Sequence, residues 1–276
     1  MTVINTNIGA TITANALAKN ERAMNTAMER LSTGKRINSA ADDAAGLAIS
    51  QRLNAQVKGL DQAARNANDA ISMLQTADGA AIEITNMLQR MRELAVQATS
   101  DSNTTADVAN LDLEFAALSG EIDRIVDATQ WNGENILNGT GGTTGTFTYQ
   151  IGANNAQSID VDFGDFSMAG ADVMGAADIS ATTATTAAVI TTLDTAISGV
   201  TTQRATFGAV MNRLEYTVDN LRNISQNTSA SMSRIADADY AAETTELART
   251  QIIQQAGTAM LSQANQQAQS VLALLK

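Results

Sequence analysis

The sequence predicts a mainly α-helical protein made of long antiparallel coiled-coil helices that form a rod, with a small β-hairpin and an irregular insertion. Three observations lead to this fold class. The 276 residues include no proline, the residue that most often breaks a helix interior. Aromatic residues make up only 3% of the chain, so its apolar side chains are mostly small and suit helices packed along their length. Apolar residues also recur at alternating steps of three and four, the spacing of a coiled-coil seam.

The first seams predict helices within residues 39–132. The longer seam has an apolar residue at every position: Leu60, Ala63, Ala67, Ala70, Leu74, Ala77, Ala81, Ile84, Leu88, Met91, Ala95 and Ala98. The shorter one contains Leu111, Phe115, Leu118, Ile122 and Ile125.

Residues 190–238 carry a third seam, interrupted only by Arg204, Ser225 and Thr228. At about 1.5 Å per residue, such a helix would be roughly 70 Å long, which indicates a rod. We expect the core of the rod to contain Leu60, Leu74, Leu88, Met91, Phe115, Ile122, Phe207, Leu214 and Leu221.

Residues 133–189 differ from the seams because they are rich in glycine, threonine, asparagine and aspartate. The stretches "TFTYQI" and "SIDVDF" alternate apolar and polar residues, and the loop-like "GANNAQS" separates them. This pattern predicts a β-hairpin. Residues 164–186 have no clear period and are interpreted as the irregular insertion.

The two ends have helical stripes but no charge. Residues 1–18 and 250–275 contain no charged side chain. The stripes consist of Ile4, Ile8 and Ile12, and of Ile253, Ala256, Met260, Ala264, Ala268, Val271 and Leu275. A helix that avoids charge on all faces fits packing by neighbours on several sides, because a buried unpaired charge is costly. The ends are therefore interpreted as assembly elements, and an intramolecular bundle of the two ends is the alternative.

Composition excludes several classes of function. The chain has no cysteine and no histidine, so disulfides, thiol catalysis, imidazole bases and Cys/His zinc sites are ruled out. The net charge of −12 disfavours binding to nucleic acid and to anionic membranes. The first residues lack the basic and apolar regions of a Sec signal peptide. We expect no enzyme activity, catalytic residue, cofactor, metal site, nucleic-acid partner or membrane span.

The stretch "ERLSTGKRINSAADDAAGLAIS", residues 29–50, predicts a break between two helices. Gly34 suits the position after a helix end. Ser39 suits an N-cap, with Asp42 and Asp43 in the first turn of the next helix.

Together with "VINTN", "ARNANDAISMLQTADGA", "LQRMRELAVQ" and "QWNGENIL", this stretch resembles the bacterial flagellins, as does the C-terminal part of the chain. The resemblance covers about residues 1–165 and 190–276. It implies an extracellular helical filament used for swimming. Residues 1–38 and 239–276 would form its paired inner-tube helices, residues 39–132 and 190–238 the rod, and residues 133–189 the hairpin and variable insertion. The implied self-assembly residues are Ile4, Ile8, Ile12, Ile253, Met260, Val271 and Leu275.

The resemblance also implies partners besides other copies of the chain. These are a flagellar export chaperone, the filament cap, hook-associated proteins and host flagellin receptors, with secretion through the flagellar type III apparatus. A plant-receptor-like epitope would include Ser39, Asp42, Asp43 and Gly46. The patch recognised by an animal Toll-like receptor would include Leu88, Gln89, Arg90, Leu94 and Glu114.

Two other functions compete with a filament subunit. A hook–filament junction protein shares the terminal coiled coils, but such proteins usually lack the full "LQRMRELAVQ" and "QWNGENIL" motifs. A secreted enzyme on a coiled-coil stalk belongs to another class, and the missing histidine and cysteine argue against it.

Overall fold

The structure is a computed structural model that describes residues 7–168 and 187–273. Within these ranges the chain forms five helices and four short strands, which confirms the mainly α class. In chain order they are α1 (Ile8–Thr33), α2 (Ala44–Ala98), α3 (Thr105–Ala128), β1 (Gln130–Trp131), β2 (Glu134–Asn135), β3 (Thr146–Gln150), β4 (Ser158–Asp162), α4 (Ala187–Ala236) and α5 (Tyr240–Ala273). Most of the predicted insertion, together with Ile4, Leu275 and the side chain of Val271, lies outside the described residues.

The chain divides into two compact units. The terminal unit consists of Met1–Ala55 and Asn227–Lys276, and the central unit consists of Gln56–Gln226. The division falls inside helices α2 and α4, whereas the sequence boundaries at residues 38/39 and 238/239 were placed at the breaks between helices.

The central unit has a continuous apolar core formed by α2, α3, α4 and the strands β3 and β4. Every position of the first seam is buried. The nine residues expected in the core are also all buried. Leu60 and Leu221 form a smaller cluster with Ala63.

Two of the polar interruptions in the third seam have polar partners on α2. The Nε atom of Arg204 donates to Oδ1 of Asp78 at 2.7 Å. The hydroxyl of Ser225 donates to Oδ1 of Asp61 at 2.8 Å. These contacts meet the hydrogen-bonding needs of groups that would otherwise weaken the seam, and they link α2 and α4 at defined positions.

Strands β3 and β4 form the predicted hairpin, with Phe147 opposite Val161 and Tyr149 opposite Ile159. One hairpin face is buried, and an aromatic cluster attaches the hairpin to α4. The rings of Phe147 and Phe163 meet edge to face at 5.4 Å, and those of Phe163 and Phe207 lie 5.5 Å apart.

A second hairpin, β1–β2, was not predicted. It pairs Gln130 with Asn135 and Trp131 with Glu134. Its turn consists of Asn132 and Gly133, both with positive φ (51° and 86°), as a type I′ turn requires. The Asn-Gly pair in "QWNGENIL" was the signal that could have identified it.

Candidate functional site

The terminal helices α1 and α5 pack against each other as an antiparallel pair. The Nδ2 atom of Asn7 donates to the carbonyl oxygen of Ala264 at 3.1 Å, near one end of the pair. Near the other end, Arg30 and Glu243 form an ion pair at 3.0 Å. These two contacts show that α1 and α5 run in opposite directions. The two ends therefore pair within one chain, as the intramolecular alternative predicted.

The contact face of the pair contains few large apolar side chains. Its partly or fully buried positions recur at steps of three and four: Ala10, Thr13, Leu17, Asn20, Met24, Ala27 and Leu31 on α1, and Glu243, Leu247, Thr250, Gln254, Gly257, Leu261 and Ala264 on α5. At its centre, Nδ2 of the buried Asn20 donates to the carbonyl oxygen of Thr250 at 2.7 Å and to Oε1 of Gln254 at 3.3 Å. The pair is therefore held by small residues and hydrogen bonds as well as by apolar packing.

The predicted apolar stripes lie mostly off this contact face. Ile8, Ile12, Ile253 and Met260 are 39% to 63% exposed. Ile252, which the stripe omitted, is also exposed. Within the described residues, these side chains form apolar surface on two helices that carry no charge in the same segments. Contact between α1 and α5 therefore leaves these side chains available to other molecules.

The break between α1 and α2 was only partly predicted. Gly34 ends α1 in the left-handed region (φ +70°), and its N–H donates to the carbonyl of Arg30, as predicted for a C′ glycine. The predicted N-cap at Ser39 is wrong, because α2 begins at Ala44. Asp43 caps α2 instead, since its Oδ1 accepts the N–H of Gly46 at 2.8 Å.

Ser39 and Asp42 form a turn before this helix. Oδ2 of Asp42 accepts the N–H of Ser39 at 2.8 Å, the N–H of Asn38 at 3.1 Å and the Ser39 hydroxyl at 3.1 Å. These hydrogen bonds, led by that from the Ser39 N–H, lower the pKa of Asp42 below its ordinary value of 3.8 because they stabilise the carboxylate. An added Cβ at Gly46 would lie 2.7 Å from Cδ1 of Ile37 and closer still to the Asp43 carboxylate, so these side chains would have to shift.

The breaks α1–α2 and α4–α5 are joined by backbone hydrogen bonds. Lys35 and Asp237 form an antiparallel β-bridge. The N–H of Arg36 donates to the carbonyl of Ala236 at 2.7 Å, and that of Ala238 donates to the carbonyl of Gly34 at 3.0 Å. The two connecting segments therefore form one structural element.

The surface around Arg90 on α2 lies in the central unit. The guanidinium of Arg90 donates to Oε1 of Glu114 on α3 through Nε and Nη2, and to Oε2 of Glu93 through Nη1. The sequence had assigned Leu88 and Leu94 to the same receptor patch. Both of these side chains are buried in the core, so the expectation that they lie on an exposed patch is wrong for the single chain. The other three residues of the predicted patch, Gln89, Arg90 and Glu114, are exposed.

The described residues contain no cluster of three or more acidic side chains arranged to hold a metal ion. Over the same residues, no helix has the length and hydropathy that crossing a bilayer would require.

Two family models match the chain at its two ends. The bacterial flagellin N-terminal helical region matches residues 4–141, and the bacterial flagellin C-terminal helical region matches residues 190–275. The chain belongs to the bacterial flagellin family. It is similar to a flagellin of Halalkalibacterium halodurans, with 44% identity over 274 residues that cover 99% of this chain and 100% of the relative. A flagellin of Bacillus subtilis is 42% identical over 305 residues, covering 99% of both chains.

A third relative of this flagellin is the flagellar filament 33 kDa core protein of Treponema phagedenis. It is 40% identical over 285 residues, which cover 99% of this chain and 100% of the relative. A crystal structure of Bacillus cereus flagellin is 34% identical, with a TM-score of 0.48, and covers 57% of this chain and 88% of that one.

Family membership and these full-length relatives identify the chain as a structural subunit of the bacterial flagellar filament. The filament formed by its homologues is extracellular. The alternatives of a junction protein and of a stalked enzyme have no support among the relatives.

Proposed function

We propose that this flagellin polymerises through the apolar stripe that α1 and α5 leave exposed. The stripe consists of Ile8, Ile12, Ile252, Ile253 and Met260, and we call it the assembly stripe. Its exposure in the single chain is the observation that carries the proposal. The occupant is a second copy of the chain, because the relatives are filament proteins and the segments around the stripe carry no charge that solvent would favour.

The magnitude of apolar burial is consistent with this role. Burying a large aliphatic side chain contributes about 1.5–3 kcal/mol relative to full exposure. The five members of the assembly stripe are 39% to 66% exposed in the single chain. Completing their burial would therefore contribute on the order of 5 kcal/mol per subunit. Ile4, Val271 and Leu275 belong to the same proposed surface by their spacing, although they fall outside the described side chains.

A charge placed in the assembly stripe tests the proposal. Ile253→Asp should prevent filament formation, because polymerisation would bury an unpaired carboxylate. The helix content of the monomer should stay near wild type, since Ile253 is exposed there. Ile253→Leu is the matched control and should form filaments, because it keeps an apolar side chain of the same size. Electron microscopy and sedimentation measure the polymer, and normal filaments from Ile253→Asp would exclude Ile253 from the interface.

We further propose that the chain leaves the cell through the flagellar type III apparatus, with an export chaperone, the filament cap and hook-associated proteins as partners. The charge-free ends and the absence of cysteine and proline suit a chain that is transported unfolded and folds on arrival. Loss of the protein from the culture medium of an export-deficient strain is the expected result. Normal amounts in that medium would contradict this route.

The surface around Arg90 is a proposed contact for the flagellin-sensing Toll-like receptor. Arg90 is half-exposed, and its planar guanidinium already pairs with Glu114, so it presents a fixed set of donors. An arginine anchor in an interface commonly accounts for about 2 kcal/mol or more, or about 30-fold in affinity. Arg90→Ala monomer should therefore signal less in a reporter-cell titration. Arg124→Ala is the control, because Arg124 is an exposed α3 arginine that pairs with Glu121. Equal potency of the Arg90→Ala variant and wild type would remove Arg90 from the contact.

The turn before α2 is the proposed plant-receptor element. It presents Ser39 and Asp42 at the surface, followed by the capping residue Asp43 and by Gly46. A synthetic peptide spanning residues 29–50 should elicit a response in plant cells, and a peptide of the same composition in scrambled order should not. Equal responses to the two peptides would contradict the assignment.

A further inference from the structure

Two methionines in the described helices are strongly exposed, Met28 at 51% and Met260 at 60%. Others are buried in the central unit, among them Met73, Met91 and Met168. A thioether reacts with peroxides in proportion to its accessibility, and the product is methionine sulfoxide. The monomer therefore presents reactive and protected methionines in one chain.

The surroundings of the two exposed methionines differ. Met28 is followed directly by Glu29 and Arg30, so its region already carries charge. Met260 lies in the segment from residue 250 to 275, which has no charged side chain. Ile253, one heptad earlier on α5, is exposed as well. An added polar oxygen would therefore change the character of the surface most at Met260.

We propose that Met260 is an oxidation site that controls whether the subunit can polymerise. The inference rests on the proposed function of the assembly stripe. Oxidation converts a flexible apolar side chain into a polar one, and a sulfoxide oxygen buried in an apolar interface without a donor is unfavourable. The fold of the subunit is unaffected, because the side chain of Met260 points to solvent in the single chain.

The oxidant is a peroxide, and the reaction balances without another component. The sulfur of Met260 attacks one peroxide oxygen, the O–O bond breaks and a sulfur–oxygen bond forms. The sulfur loses two electrons, and hydrogen peroxide is reduced to water. Methionine sulfoxide reductases reverse the change, so the block on polymerisation is reversible.

The sequence makes the modification straightforward to measure. Cleavage after Arg249 releases residues 250–276, in which Met260 is the only methionine. Cleavage after Arg22 and Arg30 releases residues 23–30, which contain Met24 and Met28. Tandem mass spectrometry, which separates Met28 from Met24 by fragmentation, gives the extent of oxidation at each exposed site, with the buried Met73 and Met91 as internal references for protection.

The experiment treats full-length monomer with hydrogen peroxide and measures the critical concentration for polymerisation. We expect an increase of roughly tenfold or more for wild type, equivalent to the loss of one well-buried apolar contact. Met260→Leu should have a critical concentration that peroxide does not change, whatever its value before treatment, because leucine cannot be oxidised. Met28→Leu should remain as sensitive as wild type. Treatment of the oxidised monomer with a methionine sulfoxide reductase should restore polymerisation.

The outcomes separate this inference from the proposed function. If reduced wild-type chain fails to polymerise, the proposed function is wrong. If it polymerises but Met260→Leu is as sensitive to peroxide as wild type, or Met28→Leu becomes resistant, the site assignment is overturned. In preformed filaments, Met260 should oxidise at least about tenfold more slowly than in monomer, because the interface covers it. Equal rates would also overturn the inference.

Discussion

The central and terminal units use the same coiled-coil spacing with different side chains. In the central unit the seams are filled by residues such as Phe207, Leu214 and Ile122, all fully buried. In the terminal unit, the buried apolar side chains among the described residues are Ala27 and Ile37. One unit thus completes a core from its own residues, whereas in the other the described large apolar side chains, apart from Ile37, are partly or strongly exposed. The difference is what the proposed polymerisation through the terminal unit requires.

Polar contacts between helices show the same difference. In the central unit, Arg204 pairs with Asp78 across α2 and α4. In the terminal unit, Arg30 pairs with Glu243, but its buried Nε atom has no hydrogen-bond partner among the residues that the structure describes. An unmet buried donor typically costs about 1–3 kcal/mol. In the terminal pair, the hydrogen bonding of buried polar groups is therefore incomplete, as is the burial of apolar side chains.

The largest expected effect is that of a charge in the core of the central unit. Leu214→Asp should lower the free energy of unfolding by at least about 4 kcal/mol, because it removes buried apolar volume and adds an unpaired carboxylate. Secreted monomer without filaments is the expected phenotype. Leu113→Asp makes the same change at an exposed α3 position and should stay within about 0.5 kcal/mol of wild type. Urea unfolding measures both, and equal stabilities would mean that Leu214 is not a core residue.

A smaller and local effect is expected for the polar centre of the terminal pair. Asn20→Ala removes the hydrogen bonds to Thr250 and Gln254, and should destabilise the pairing of α1 with α5 by about 1–2 kcal/mol. Hydrogen exchange should accelerate in α1 but not in α2 between residues 60 and 98. Asn25→Ala changes an exposed asparagine on α1 and is the control. Unchanged exchange in α1 of Asn20→Ala would show that this contact does not stabilise the pair.

Replacing one helical glycine by alanine in each unit compares how tightly the two units are packed. An added Cβ at Gly208 of α4 would meet nothing within 4 Å, so Gly208→Ala should stabilise the central unit by about 0.5–1 kcal/mol. An added Cβ at Gly257 of α5 would lie 3.1 Å from Cδ1 of Leu17, so Gly257→Ala should give a smaller gain or none. Thermal unfolding and hydrogen exchange measure the two variants. Equal gains would show that Leu17 can move aside without cost.

The smallest effect concerns pH and the turn at Asp42. Its pKa is lowered in the folded chain, so its contribution to stability is present above the unfolded value and is lost as pH falls through the folded pKa. A titration followed by the amide signal of Ser39 should have its midpoint below 3.8. Ser39→Ala should raise that midpoint only part of the way, because the stronger hydrogen bond comes from the backbone N–H. A midpoint at or above 3.8 in wild type would contradict the lowered pKa.

Sequence patterns predicted the central unit well because its burial follows from large apolar residues at heptad spacing. The apolar spacing of the first seam indicates which face of the helix is buried, and Leu74, Leu88 and Met91 are all in the core. The β3–β4 hairpin was equally well marked by its alternation. The β1–β2 hairpin was missed although its Asn132-Gly133 turn was visible in the sequence, because its strands have only two residues each.

The contact face of the terminal pair was not predictable in the same way. Thr250, Gln254 and Gly257 lie at the centre of its α5 side and form no apolar pattern. The apolar spacing of Ile253 and Met260 predicted a different face of the helix. The choice of N-cap for α2 was also undetermined by sequence. Ser39 and Asp43 can both cap a helix, and the hydrogen bond from the Gly46 N–H to Asp43 shows which of them does so.

The bridge between Lys35 and Asp237 has a consequence for conformational freedom. Each break between helices would by itself be a separate joint, with its own set of backbone rotations. Because the N–H groups of Arg36 and Ala238 bond to carbonyls on the opposite segment, the rotations of one break are tied to those of the other. The two connecting segments, which are far apart in sequence, therefore bend together as a single joint. They have fewer independent motions than two free linkers would have.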